Sequence, residues 1–411
     1  MTPSHRPDRE VLITGIGMVT PAGVGTAASW RAVCEGAPTG AAAPALSGLP
    51  VDFACTVPSS FDPLAHLGAH ARRMDRFIQL AVVAAREAVT DAGLGTGGWD
   101  AVRVGVVVGA GVAGVTTWET QTLRLDHDGP QFVAPLTVPA ALASMAAARV
   151  SMDLAVHGPS HTVSTACASG TTAIGTALDL LRAQRCDIVL AGGTEAAVSR
   201  LTASAFHRLG ALSTRRTDPA AASRPFDRDR DGFVLGEGAA VLVLETTLHA
   251  CARNARAYAR LLGYGATSDA HHLTDPDPEG RGAELALRQA LADADVTARD
   301  IAHVNAHATG TPRGDAAEAH MLQRLFTHGP CVSSAKGVTG HLLAAAGAVE
   351  AALTALTIHH GLIPPTANLH TPDPALSLNL PTTAYPGPVP LAVTESFGFG
   401  GQNAALVLAT V

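Results

Sequence analysis

Three short stretches of this 411-residue chain gather residue types capable of nucleophilic and acid–base chemistry. In HTVSTACASGTTAIGTALDLL (161–181), Cys167 stands where an apolar strand gives way to a helix of small residues. A cysteine at a helix N-terminus faces unpaired backbone N–H groups and the positive end of the dipole, which favour thiolate over thiol. The same N–H groups can hold a developing oxyanion, so one geometry serves nucleophile and stabiliser. The competing reading is a small cysteine packed in a tight turn.

In VNAHATGTPRGDAAE (304–318) a strand delivers His307 into a loop of small and hydroxyl residues, with Asp315 and Glu318 one helical step apart. Catalytic groups in layered α/β folds gather at strand C-terminal ends, although this is one histidine among 18. In SAKGVTGH (334–341), Lys336 and His341 flank a glycine-lined turn that lets backbone approach a ligand. Of 28 basic residues all but Lys336 are arginine, so one compact ammonium has been kept where guanidinium is the rule. Coding bias with a chance survivor is the alternative. A fourth stretch, ESFGFGGQN (395–403), reads either as a plain glycine-rich hairpin or as a pliant loop in which Phe399 is a movable plug between Gly398 and Gly400–Gly401. A rival motif is GAGVAG (109–114), which matches the dinucleotide fingerprint GxGxxG, but no strand-end acid stands about 20 residues beyond it.

These groups need a scaffold, and apolar strand-length runs alternate with helical patterns throughout. VLITGIG (11–17) and VRVGVVVGAG (102–111) read as strands, the second as a doubly covered parallel one. DRFIQLAVVAAREAVTDAGL (75–94) puts Phe77, Ile78, Ala81, Val82, Ala85 and Val89 on one helical face, with Gly93 as its stop. The alternation predicts an α/β layered architecture. The order strand, polar turn, helix of small residues in 161–181 repeats in CVSSAKGVTGHLLAAAGAVEAAL (331–353). Each copy follows a strand ending in glycine, at 102–111 and 301–310. Residues 1–255 and 256–411 are therefore expected to form two similar halves. Between them, 213–238 is rich in charge and turn formers, a long ordered loop and a candidate cover for a site.

Composition narrows the field. Hydrophobic residues make up 47% and charged residues 15%, enough for a large core. A net charge of −7 without basic runs argues against nucleic-acid binding. The opening MTPSHRPDRE lacks the apolar stretch of a signal peptide, and the apolar run 342–356 is too short for a bilayer and carries Glu350. The six cysteines show neither CxxC pairs nor metal-ligand spacing, as expected of reduced thiols in a cytoplasmic protein. No metal is expected.

Taken together and in this order, TACASG, NAHATGTPRGD, SAKGVTGHLLAAAG and FGFGGQN resemble the β-ketoacyl-acyl carrier protein synthase family, in its elongating synthase II branch. The resemblance runs from VLITGIGMVTPAG to FGFGGQNAALVL. It implies a thiolase-like fold, two duplicated halves in five αβαβα layers, paired as a homodimer or as a heterodimer with a paralogous chain-length subunit. It also implies an acyltransferase reaction, a decarboxylative Claisen condensation with malonyl-acyl carrier protein. Substrates would ride on the carrier's phosphopantetheine, and the enzyme would bind no cofactor of its own. By motif, Cys167 resembles the acyl-holding nucleophile, His307 and His341 the imidazoles that stabilise the enolate, and Lys336 a buried lysine with Asp315, Glu318 and Glu350 as companions. Backbone N–H groups of Cys167 and Phe399 would form the oxyanion hole, and Thr309 and Thr311 would bind pantetheine. Phe206, Phe399, Asp269 and His272 resemble a gate, and Val112 the residue lining the acyl pocket. Chalcone synthases and initiating synthases pair Cys with His and Asn, and thiolases carry a second Cys where Phe399 stands; neither pattern fits.

Ala308 and Ala344 replace glycines common in the family, and Gln131 and Phe132 stand where basic residues often meet the carrier protein. Arg72, Arg73 and Arg208 remain for that contact. GQN near the C-terminus resembles polyketide ketosynthases, so the expectation is type II polyketide or other specialised-metabolite biosynthesis. Housekeeping fatty-acid elongation is the alternative, and a non-catalytic chain-length partner is the alternative of another class. The latter lacks the nucleophile, so Cys167 with both histidines speaks against it.

Overall fold

In the computed structural model, which describes residues 10–95 and 98–411, the apolar runs assemble one main sheet covered by layers of helices. Its first run comprises β1 (Val11–Thr20), β2 (Val104–Gly109), β3 (Ser160–Val163), β4 (Ile188–Ala196) and β5 (Glu237–Thr246), in the order β3-β2-β4-β5-β1. β2 lies parallel to β3 and β4, whereas β4–β5 and β5–β1 are antiparallel. The second run comprises β6 (Ala259–Ser268), β7 (His303–Asn305), β8 (Cys331–Ser333), β9 (Leu391–Gly398) and β10 (Gln402–Ala409). Its order, β8-β7-β9-β10-β6, and its strand directions repeat the first. β1 and β6 join the two runs antiparallel, from Val11 opposite Leu261 to Ile13 opposite Ala259.

Register aligns the runs residue by residue. Gly109 ends β2 opposite Val163 and Gly193, and Asn305 ends β7 opposite Ser333 and Thr394. Counting on from those pairs, Gly111 corresponds to His307, Cys167 to Gly337, and Thr194 to Glu395.

The helices that matter are α1 (Arg76–Asp91), α2 (Val115–Asp128), α3 (Met145–Leu154), α4 (Ser169–Arg182), α5 (Arg200–Arg208), α6 (Arg281–Asp293), α7 (Pro312–Leu325) and α8 (Ala346–His360). α1 and α3 cover the outer face of the first run, α6 and α7 that of the second, and α4 and α8 pack on each other between the two. The succession helix, sheet, helix, sheet, helix is the five-layer thiolase-like arrangement. α8 explains the apolar run 342–356: residues 346–358 are all buried, as a helix apolar all round must be. Among the described residues no helix is long and apolar enough to cross a membrane.

Local signals behave as their chemistry dictates. Asp75 caps α1 by accepting from the Phe77 N–H, and Gly93, just past its end, takes φ +67°. The strand expected over 301–310 is shorter, because the chain leaves the sheet after Asn305 and turns into the site. The 213–238 loop is held by bridges from Leu212 to Phe233 and from Leu235 to His341, which bring Phe233 against the histidine.

Candidate active site

Three loops meet where the two runs face each other. The β3–α4 turn carries Cys167, the loop after β7 carries His307, and the turn after the short helix Lys336–Thr339 carries His341. Cys167 Sγ lies 3.1 Å from His341 Nε2. The His307 and His341 rings stand edge to face with centroids 5.3 Å apart. All three side chains are buried, and all line a cavity of about 780 Å³.

The thiol departs from expectation in one respect. Cys167 lies two residues before α4, and burial pushes its thiol up to about 12 despite opposing pulls from Lys336 and the Phe399 N–H. Desolvation of a thiolate outweighs those pulls, so the resting sulfur is a thiol and its proton must go to a base in contact with it. His341 is that neighbour. Burial first, and then the Lys336 charge, hold both imidazoles well below the usual histidine range, so both rings are neutral. A neutral ring can accept a proton at one moment and donate an N–H at another.

The turn that presents the sulfur is tightly built. Ala166 takes φ +49°, a left-handed conformation that costs a non-glycine residue energy. Gly398 lies so close that a Cβ there would come 2.7 Å from the Thr165 carbonyl oxygen and 3.1 Å from the Cys167 nitrogen. Only glycine permits that approach, and it brings the Phe399 N–H to the sulfur, beside the N–H of Cys167 itself.

Lys336 is buried and ion-paired with Glu350 on α8. Glu318 does not touch the ammonium; its two oxygens accept the N–H groups of His307 at 2.6 Å and Ala308 at 2.7 Å, fixing the histidine loop from behind. Asp315 is no companion of Lys336 either. It accepts from the N–H groups of Phe226 and Gly310 and lies 3.8 Å from Arg230, because its place on the first turn of α7 faces the 224–230 segment. The expectation of three carboxylates around Lys336 is therefore corrected to one direct partner.

Thr309 and Thr311 line the cavity with hydroxyls 3.1 Å apart. Phe206, Phe399, Asp269 and Val112 line it as well, and the Phe206 and Phe399 rings lie 6.2 Å apart. His272 stands apart: it is exposed, and its Nδ1 accepts the N–H groups of Thr274 and Asp275, so it shapes the loop rather than the cavity. Asp269 ties that loop down by accepting from Asn403 Nδ2 at 2.7 Å and donating its N–H to Gly401. Arg72, Arg73 and Arg208 are exposed, and Arg208 is followed by the cavity-lining Leu209 and Gly210.

Some site residues went unseen in the sequence. Phe233 packs edge-on against His341, Phe397 edge-on against His307, and Arg313 at the cavity wall pairs with Asp275. Phe397 lies within the ESFGFGGQN motif, but nothing in local spacing marks Phe233. The GAGVAG loop also resolves. Its amides at Gly111, Val112 and Ala113 all donate to the Glu195 carboxylate, so the N–H groups a phosphate would need are taken.

Comparison with known proteins accords with this geometry. The family model "Beta-ketoacyl synthase, N-terminal domain" matches residues 8–250, and "Beta-ketoacyl synthase, C-terminal domain" matches 258–370. The chain is 40% identical over 414 residues to 3-oxoacyl-[acyl-carrier-protein] synthase 2 of Vibrio harveyi, covering 97% of this chain and 98% of that one. Among solved structures it is similar to the ishigamide ketosynthase/chain length factor, with TM-score 0.92 and 33% identity over 98% of this chain and 99% of the other. It is also similar to a type II polyketide ketosynthase, bound to the hexaketide and in complex with its acyl-carrier protein, with TM-score 0.91 and 31% identity over 98% and 99%.

Proposed function

Because the chain belongs to the β-ketoacyl synthase family, we propose that it is a ketosynthase that extends an acyl group held on Cys167 by decarboxylative condensation with a malonyl unit on acyl carrier protein. The observation that carries this reading is the convergence of the Cys167 sulfur and two neutral imidazoles on the wall of one cavity. In the first half-reaction His341 takes the thiol proton and the sulfur attacks the acyl thioester. The N–H groups of Cys167 and Phe399 hold the tetrahedral oxyanion, and the carrier's thiol leaves with a proton. In the second, malonyl loses CO2 and the enolate oxygen accepts N–H bonds from His307 and His341. The carbanion then attacks the Cys167 thioester, a carbon–carbon bond forms, the carbon–sulfur bond breaks, and the thiolate regains a proton. Thr309 and Thr311 hydrogen-bond the pantetheine arm, and Phe206, Phe399 and the Asp269 loop gate it.

The substrates arrive on the carrier's phosphopantetheine, and no cofactor of the enzyme's own is needed. Arg72, Arg73 and Arg208 are proposed carrier contacts, and the working unit is a homodimer or a pair with a paralogous chain-length subunit. Six free cysteines fit a cytoplasmic setting. The pathway is type II polyketide or other specialised-metabolite biosynthesis, supported by the two solved ketosynthases above. Fatty-acid elongation is the second reading, favoured by the higher identity to the Vibrio harveyi synthase.

Intact-protein mass spectrometry with acyl-carrier protein tests the assignment. The wild type gains the mass of the acyl group, and Cys167→Ala gains none; loading retained in Cys167→Ala moves the nucleophile elsewhere. The mass gained with the native carrier also separates the two pathways by chain length and oxidation level.

A further inference from the structure

We propose that Glu395 is a positioning residue for the decarboxylation step: as the neutral acid it donates a hydrogen bond to the Glu318 carboxylate, and so fixes the group that grips the His307 loop. The proposal rests on the role given to His307 above.

Glu395 lies on β9, beside the β7 strand that leads to His307, and is fully buried. No N–H or hydroxyl among the described residues donates to either of its oxygens, and the neighbour that acts on it most strongly is another buried carboxyl, Glu318. Two carboxylates cannot share such a contact, so one of them holds a proton. Glu318 already accepts a backbone N–H at each oxygen, which favours its ionised form, and the proton falls to Glu395. The surroundings do not supply a second charge to balance a second carboxylate. Lys336 is the ammonium near the pair, and Glu350 on α8 already engages it; Asp315, one turn earlier on α7, adds negative charge. Burial accordingly raises both carboxyls, Glu318 to about 7, and the Glu318 charge drives Glu395 higher still. The corresponding position on β4 holds Thr194, which donates to the Phe77 carbonyl and needs no shared proton.

Raising the pH until the pair loses its shared proton sets two charges against each other in a dry interior. Glu318 then releases the His307 and Ala308 amides, and the imidazole loses its register with the malonyl group. Glutamine at 395 can donate the same hydrogen bond at any pH.

The test compares CO2 release from malonyl-acyl carrier protein across pH for the full chain and for Glu395→Gln, with acyl loading of Cys167 measured in parallel. Loss of a charge-assisted hydrogen bond sets the scale, so wild-type CO2 release should fall by about tenfold in the alkaline range while loading persists. Glu395→Gln should remove that fall and stay within about threefold of wild type at neutral pH. A profile that superimposes on the wild type overturns the proposal, as does a loss of tenfold or more at neutral pH (about one strong hydrogen bond), since the ionised form would then be the one required. Thermal melting decides independently of turnover. Glu395→Gln should melt above the wild type by a margin that widens as pH rises, and a margin that shrinks or reverses sinks the idea. A wild type that loads acyl groups but releases no CO2 at any pH refutes the role of His307 instead, and the melting comparison still judges Glu395.

Discussion

The two strand runs share an order and a register yet carry different chemistry at matching positions. After the third strand of each run the first presents Cys167 and the second Gly337; after the second strand the first presents Gly111 and the second His307. Each run thus leaves small residues where the other bears a reactive group, and the two reactive loops meet in the middle without collision. The support differs as well. The first run holds its loop after β2 with one carboxylate, Glu195, that takes three amides. The second holds its loop after β7 with Glu318, backed by Glu395 and set near the Lys336–Glu350 pair. A fold that repeats can keep one copy simple and load the other with buried charge, provided the charge is neutralised within the core.

The sharpest break in this comparison is to make the second run resemble the first at the reactive position. His307→Ala leaves the backbone N–H on Glu318, so the loop keeps its anchor while the imidazole is gone. Decarboxylation of malonyl-acyl carrier protein should fall about 100- to 10,000-fold, with acyl loading of Cys167 retained. Normal CO2 release from the variant would end the two-imidazole account.

Next comes the buried cation. Lys336→Met leaves Glu350 without a partner in a sealed interior, at a cost of about 3–5 kcal/mol in stability. The sign with pH follows from Glu350, whose carboxyl burial already raises to about 7. A carboxyl with a raised folded value binds its proton more tightly when folded, so stability is present at low pH and drains away as pH rises through that value. The variant should therefore approach wild-type stability in mild acid and fall furthest behind above neutrality, measured by denaturant unfolding at each pH. A deficit that is flat across pH would mean the ammonium is there for packing alone.

How far such effects could be read from the sequence depends on how local they are. Cys167, His307, His341 and Lys336 were legible because each sits in a short stretch of small residues that follows a strand within a few positions, and short spacing captures that. The layered fold was legible for the same reason, since strand and helix periodicities span neighbouring residues. Phe233 and the roles of Glu195 and Glu395 were not, because they depend on which strands lie side by side, and Glu195 meets its amides across more than 80 residues of chain. Asp315 was misjudged on similar grounds: its helix position was clear, but the facing segment with Arg230 comes from far upstream. The raised value of the thiol was not legible either, because burial has no local signature.

The carboxylate of the simpler run offers a medium-sized test. Glu195→Ala strands three amides that now share one acceptor, at a cost of about 1–3 kcal/mol. Val112 rides on that loop and lines the cavity, so selectivity should change along with stability. Short acyl groups should still load onto Cys167, while the preferred chain length shifts, as read by competition between carrier-bound acyl groups of different length. An unchanged preference would separate the loop from the pocket it lines.

The smallest effect tests the matched pair Thr194 and Glu395 directly. Thr194→Val removes one buried hydrogen bond to the Phe77 carbonyl and replaces the hydroxyl with a methyl of similar shape. The net loss is about 1 kcal/mol, and since no ionisable group is involved it should be the same at every pH. The glutamate at the equivalent place behaves otherwise, because its shared proton ties stability to pH. Plotting the two variants' melting temperatures against pH therefore gives a flat line for Thr194→Val and a rising one for Glu395→Gln relative to wild type. Parallel flat lines would mean that the second run carries its buried carboxyls at no electrostatic cost, and the two runs would then differ in reactive groups alone.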